Sequence, residues 1–116
     1  MLTTLASPGK AADAKLDRAA RCLEKLGNPT RLEIFRILVR AGPSGLAVGE
    51  IQSRLEIPAS TLSHHLAQLT QVGLVRQERE GRVLRCRPDF TVMDRLLGFL
   101  TANCCEDAGG CGGERC

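Results

Sequence analysis

At Gly73 the hydrophobic period of the chain changes from helical to alternating, and this change limits the fold more than any other feature. Before it, Leu62, Leu66, Leu69 and Val72 recur at three- and four-residue spacing and form one stripe along a helix. After it, Leu74-Val75-Arg76 and Val83-Leu84-Arg85-Cys86-Arg87 flank a turn at Glu80-Gly81, which reads as a β-hairpin. Gly73 itself stops the helix.

The rest of the chain supplies further helices. Residues 1–11 carry Thr, Ser, Pro and Gly and read as a flexible arm. From Asp13 a helical pattern begins, with Leu16, Ala19, Ala20, Leu23 and Leu26 on one face and Gly27 at its end. Asn28 caps a second helix that has Pro29 at its first position and Leu32, Phe35, Leu38 and Val39 inward. The loop Gly42-Pro43-Ser44-Gly45 closes it. A short helix over Val48 to Leu55 turns Val48, Ile51 and Leu55 inward, and Ile57-Pro58 breaks it. The next helix runs from about Ala59 to Val72, and the last from Asp89 to Asn103 with Phe90, Met93, Leu96, Leu97 and Leu100 as a broad apolar face. The order α-α-α-α-β-β-α is mainly helical with a hairpin wing: a winged helix-turn-helix over residues 12–103, followed by a cysteine- and glycine-rich tail over residues 104–116. No internal repeats interrupt it.

In a helix-turn-helix the second helix enters the major groove with its N-terminal residues at base edges. Here those residues are Ala59, Ser60, Thr61, Ser63 and His64, with Gln68 further along the same side. Small hydroxyls and a histidine bond to bases or phosphates without steric conflict. The hairpin sets Arg76, Arg79, Arg82, Arg85 and Arg87 against Glu78 and Glu80, a local positive excess suited to phosphate, with Arg79 and Arg82 nearest the turn. Taken singly, an amphipathic helix is more often just a packed helix, and an arginine-rich hairpin is usually a solvated edge. Their order, joined by Gly73, favours duplex DNA. The chain has three Phe and no Tyr or Trp, so a stacking platform for single strands is not expected. His65, on the flank of the apolar stripe, reads as a packing or phosphate-bonding residue.

Four of the six cysteines, Cys104, Cys105, Cys111 and Cys116, fall in the tail beside Gly109, Gly110, Gly112 and Gly113. Thiols on such a segment are poor core residues and good ligands for a soft ion, and the glycines let Cys104, Cys105 and Cys111 meet at one point. A four-cysteine zinc site that includes Cys116 is a competing reading. So is a redox switch, although Glu106 and Asp107 and a helix C-terminus oppose the lowered thiol pKa it needs. An incidental tail is the plainest alternative. Cys22 and Cys86 lie inside regular elements and read as small buried hydrophobes. No run approaches the length of about eighteen apolar residues that a membrane span needs, and the N-terminus lacks a signal peptide's layout. The expectation is a cytoplasmic protein, where clustered cysteines bind metal more readily than they form disulfides. The chain offers no nucleotide-binding loop, no carboxylate pair and no histidine near the thiols, which argues against an enzyme.

Four segments then carry a family resemblance: Asn28-Pro29-Thr30-Arg31-Leu32 with Ile34-Phe35-Arg36-Ile37-Leu38; Ser60-Thr61-Leu62-Ser63-His64-His65-Leu66-Ala67-Gln68-Leu69; Gly73-Leu74-Val75; and Arg79-Glu80-Gly81-Arg82. Over residues 13–103 the chain resembles the ArsR/SmtB family of metal-responsive repressors. The resemblance implies a homodimer joined by the first and last helices, through Leu16, Leu23, Phe90, Met93, Leu97 and Leu100. It also implies binding to double-stranded operator DNA and release on metal binding. Pro58 departs from the polar capping residue the family often places before its recognition helix. The founding arsenic sensors of the family carry a cysteine pair in the first helix of the helix-turn-helix, and Glu50 to Leu55 has none. Zinc and cobalt sensors place Asp and His on the last helix, and residues 89–103 hold no histidine. The tail is instead similar to a subgroup of arsenic-responsive members with an adjacent cysteine pair and a third cysteine. Trivalent arsenic (arsenite) takes three thiolates in a pyramid, antimonite is its close chemical relative, and zinc stays open as the alternative.

Overall fold

The structure, a computed structural model, describes residues 10–109. Helix α1 spans Lys10–Leu26, α2 Pro29–Ala41, α3 Val48–Leu55, α4 Ala59–Gln71 and α5 Phe90–Thr101. Strands β1 (Leu46–Ala47), β2 (Val75–Glu80) and β3 (Val83–Pro88) form one antiparallel sheet in the order β1-β3-β2. Of the expected arm, residues 1–9 lie outside the described residues, while Lys10 and Ala11 belong to α1.

Local chemistry sets most of the boundaries. Asn28 caps α2 by accepting from the Arg31 N–H at 3.0 Å, with Pro29 at the first position, as expected. Asp89 caps α5 by accepting from the N–H groups of Thr91 and Val92. The α3 helix starts on Ala47, which has no capping side chain; the Glu50 carboxylate reaches back to the Ala47 N–H at 2.8 Å instead. Helix α4 starts after Pro58 with no side-chain cap at all.

The core forms where these elements meet. Ile34 and Leu38 of α2, Ile51 of α3, Leu62, Leu66 and Leu69 of α4, then Leu74, Val75 and Cys86 are essentially sealed from solvent. The α4 stripe is thus as expected, with Val72 half-buried just beyond the helix end. The α2 face differs. Leu32 is 44% exposed, whereas Ile34, expected nowhere, is fully buried. Residues 34, 35 and 38 share one side of the helix, and Leu32 lies about a third of a turn from the middle of that side at 3.6 residues per turn.

Strand β1 was not legible in the sequence. Leu46 pairs with Cys86 and Ala47 with Arg85, which adds a third strand to the hairpin. Gly45 makes this possible. It adopts φ +65, and a Cβ there would run into the Cys86 carbonyl oxygen. At the other junction Gly73, at φ +82, turns α4 into β2 while the Leu74 N–H bonds back to the Leu69 carbonyl at 3.1 Å.

Gly45→Ala should therefore cost about 3 kcal/mol or more, since left-handed strain and overpacking act together. Gly81→Ala, at φ +65 in open space, should cost only about 1 kcal/mol. Urea unfolding of the two variants measures the difference; equal costs would show that β1 does not depend on the close approach.

Candidate nucleic-acid interface and thiol site

Burial of one side of α4 decides what its other side presents. With Leu62, Leu66 and Leu69 inward, Ala59, Ser60, Thr61, Ser63 and His64 are all exposed along one continuous surface. The first-turn N–H groups lie beside them, with no capping side chain over them because of Pro58. Gln68 departs from this set. It is half-buried, and its side-chain oxygen accepts from Lys25 Nζ of α1. One turn earlier, His65 Nδ1 accepts from Arg31 Nε at 3.3 Å, while Arg31 Nη1 donates to the Lys25 carbonyl at 3.1 Å. The junction of α1 and α2 thus grips α4 at two successive turns, through contacts no local spacing announces. Burial first, then the Arg31 and His64 charges, hold His65 below the ordinary histidine value, so the neutral ring is favoured.

Register sorts the five hairpin arginines. Arg76 faces Arg87 and Glu78 faces Arg85 across the strands, all on one face with Glu80. Arg87 bonds Glu78 at 2.7 Å and Glu80 at 2.8 Å; Arg85 bonds Glu80 at 2.8 Å; Arg76 lies 3.7 Å from Glu78 and 3.9 Å from Asp89. Hydrogen bonds from Arg85 and Arg87 hold the Glu80 carboxyl below its ordinary range. The same two arginines donate to the Ser44 and Pro43 carbonyls and brace the wing on the α2–β1 loop. Three arginines are therefore used inside the wing. Arg79, on the opposite face, and Arg82, in the turn, are exposed and carry no ion pair among the described residues. Those two are the sequence-predicted wing residues.

The thiol end is built by backbone geometry. Helix α5 stops at Thr101, two residues short of the expected Asn103. Asn103 and Cys105 then take left-handed conformations, φ 59 and 62, on either side of Cys104. The alternation folds the chain tightly enough to bring the Cys104 and Cys105 sulfurs to 3.3 Å, which neighbours on a regular helix do not reach. Two thiolates on one ion at about 2.3 Å stand at most about 4.6 Å apart, so this pair fits a shared soft ion. Cys105 stands as a disulfide, so it must be reduced before it can serve as a thiolate. Cys111 and Cys116 lie outside the described residues, and among the described residues no group of three potential metal ligands occurs. Cys22 and Cys86 are buried, as expected, and burial pushes both thiols up, which keeps them neutral.

The six expected dimer residues all reach the surface of the single chain. Leu16, Leu23, Leu97 and Leu100 are exposed, while Phe90 and Met93 are half-buried. No helix among the described residues is long and apolar enough to cross a membrane.

Residues 26–78 match the helix-turn-helix domain family. The chain is 39% identical over 89 residues to the transcriptional activator HlyU of Vibrio cholerae, covering 77% of this chain and 80% of that protein. It is 43% identical over 60 residues to a Halobacterium salinarum protein named as a repressor of the arsenical resistance operon, covering 52% of this chain and 46% of the relative. In structure it is similar to a homodimeric winged helix-turn-helix domain from Mycobacterium bovis, of the ArsR family by its description, with a TM-score of 0.66 and 24% identity over 95% of this chain and all of the other.

The His65 contact carries a pH dependence. In the unfolded chain His65 titrates near its ordinary value of about 6.5. Its folded value is lower, so its contribution is complete above that pH and is lost as pH falls through the folded value. His65→Gln keeps an acceptor for Arg31 but does not titrate. Urea midpoints should fall more between pH 7.5 and pH 5 for the parent chain than for H65Q; parallel falls would remove the histidine from this role.

Proposed function

The chain belongs to the ArsR/SmtB family of winged-helix transcriptional regulators, and we propose that it is a repressor that binds operator DNA as a homodimer and releases it on binding trivalent arsenic or antimony through Cys104, Cys105 and Cys111. The observation that carries the inducer is the sulfur pair held at 3.3 Å directly beyond α5.

Each part has a place in this reading. Ser60, Thr61, Ser63 and His64 reach base edges and phosphates, and Ala59 lets the helix start approach closely. Gln68, held by Lys25, orients α4 instead of reading bases. Arg79 and Arg82, the wing arginines without ion pairs among the described residues, take phosphate. Leu16, Leu23, Phe90, Met93, Leu97 and Leu100 form the dimer contact, each worth roughly 1.5–3 kcal/mol if fully buried there. Two copies then present two α4 helices to half-sites about one helical turn apart, roughly 34 Å. Drawing Cys104, Cys105 and Cys111 around one arsenic pulls on the end of α5, turns one subunit against the other and mismatches the two α4 helices to successive grooves.

Thiol oxidation is the competing signal, and the disulfide state of Cys105 is what favours it. Reduced protein that holds DNA and releases it with arsenite supports the metalloid. Release on oxidation alone supports the redox reading, and release with zinc alone supports a four-thiolate site that includes Cys116.

Fluorescence anisotropy on a labelled operator duplex tests the assignment. His64→Ala should weaken specific binding, and Arg82→Ala should weaken all sequences alike and lower the salt slope by about one. Serine at 104, 105 or 111 should leave repression intact and abolish the arsenite response, while Cys22→Ser, Cys86→Ser and Cys116→Ser still respond. Unchanged operator binding by both H64A and R82A would sink the DNA assignment. A normal arsenite response after deletion of residues 104–116 would sink the sensor.

A further inference from the structure

Arg31 is anchored at two points before it meets the recognition helix. Its N–H bonds to the Asn28 side chain at 3.0 Å, which fixes it in the first turn of α2. Its Nη1 donates at 3.1 Å to the Lys25 carbonyl, in the last turn of α1, where carbonyls lack helical partners. Nε then reaches α4 and donates to His65 Nδ1 at 3.3 Å.

This contact constrains the protonation of His65. A guanidinium stays charged and only donates, so Nδ1 must offer a lone pair. The ring is therefore neutral, with its proton on Nε2. A second proton would remove the acceptor and set two cations side by side. No carboxylate pairs with Arg31 among the described residues, so no ion pair there offsets that repulsion. The charged groups acting on the ring are Arg31 of α2 and His64 of α4, whose ring centroid is 5.8 Å away, and both oppose a positive charge. Lys25 of α1 adds a third cation at the same junction through its bond to Gln68. Strand β2 also packs on α4, and none of its charged groups acts on the ring.

The contact bears on recognition through the roll of α4. Side-chain tips stand about 5–6 Å from a helix axis, so a roll of about 10° moves them by about 1 Å. That movement takes a base contact out of the hydrogen-bonding window of roughly 2.7–3.2 Å. Resting on the DNA-binding reading above, we propose that Arg31 is the positioning residue of the recognition helix, acting through the neutral ring of His65, and that a proton on that ring lowers discrimination between operator and other DNA. Base contacts by Ser60, Ser63 and His64 are lost on the roll. Phosphate contacts by the long side chains of Arg79 and Arg82 survive it, and these carry no sequence information.

Fluorescence anisotropy of the reduced full chain, without arsenite, tests this on operator duplex and on a scrambled duplex of equal length and composition. The ratio of the two affinities is compared at pH 7.5 and pH 5.5. For the parent chain it should fall about 2- to 12-fold on acidification, the net worth of one hydrogen bond. H65Q keeps an acceptor that does not titrate, and R31Q keeps a donor without the charge. Each should show less than about a twofold change in the ratio, whereas H64Q should show the parent's fall. A constant ratio in the parent, an equal fall in H65Q, or a fall abolished by H64Q would overturn the positioning role. The chain has two histidines, so imidazole ¹⁵N shifts read the contact itself in the DNA-free protein. The Nε2–H tautomer of His65 is expected at pH 7.5, and the Nδ1–H tautomer would overturn the role whatever the DNA result. Equal affinity of the parent for the two duplexes at pH 7.5 would sink the DNA assignment itself, and this role with it.

Discussion

Leu62, Leu66 and Leu69 on α4 have essentially no solvent exposure, and the orientation of every candidate DNA-contacting side chain on that helix follows from their burial. Losing any one of them to alanine removes roughly 2–5 kcal/mol and leaves a cavity under the helix. Because the apolar stripe is fixed, the polar stripe is fixed too: Ser60, Ser63 and His64 have nowhere to go but outward. Packing alone leaves the helix free to roll slightly about its axis. The Lys25–Gln68 and Arg31–His65 contacts oppose that roll from a single point, the junction of α1 and α2. The position of α4 is thereby tied to that of the α1–α2 junction, and α1 also carries part of the proposed dimer contact.

The wing follows the same division between structure and availability. Its ion ladder joins Arg76, Arg85 and Arg87 to Glu78, Glu80 and Asp89 and anchors the hairpin to the α2–β1 loop. These pairs are partly exposed, so their value lies in orientation more than in stability. Arg79 and Arg82 remain exposed at the far end of a stiffened arm, the placement the proposed phosphate contact needs.

Much of this was legible in the sequence because burial on α4, α5 and the hairpin is one-sided and periodic. The hairpin strands, the Asn28 cap and the two buried cysteines all follow from local pattern. Tertiary contacts decide the features that local pattern does not show. Strand β1 has two residues, too few to show an alternation, and exists because Gly45 lets the backbone approach Cys86. Gln68 shares the polar side of α4 with His64, and only the reach of Lys25 from another helix removes it from the exposed set. Leu32 and Ile34 are both apolar on α2, and the direction of the core chooses between them. At the thiol end the sequence marked the cysteine pair, but the left-handed turns at Asn103 and Cys105 that bring the sulfurs together left no sign in it.

In the proposed regulation, ions held by the tail and DNA held by α4 compete through one conformational equilibrium. Such coupling is reciprocal, with a typical size of about 1–3 kcal/mol, or roughly 5- to 150-fold. The direct measurement is the arsenite affinity of the reduced protein with and without saturating operator duplex, set beside the operator affinity with and without saturating arsenite. Operator should weaken arsenite binding by the same factor, within that range, as arsenite weakens operator binding. Arsenite affinity that is identical in the presence and absence of operator would contradict the coupling, however tightly each ligand binds alone.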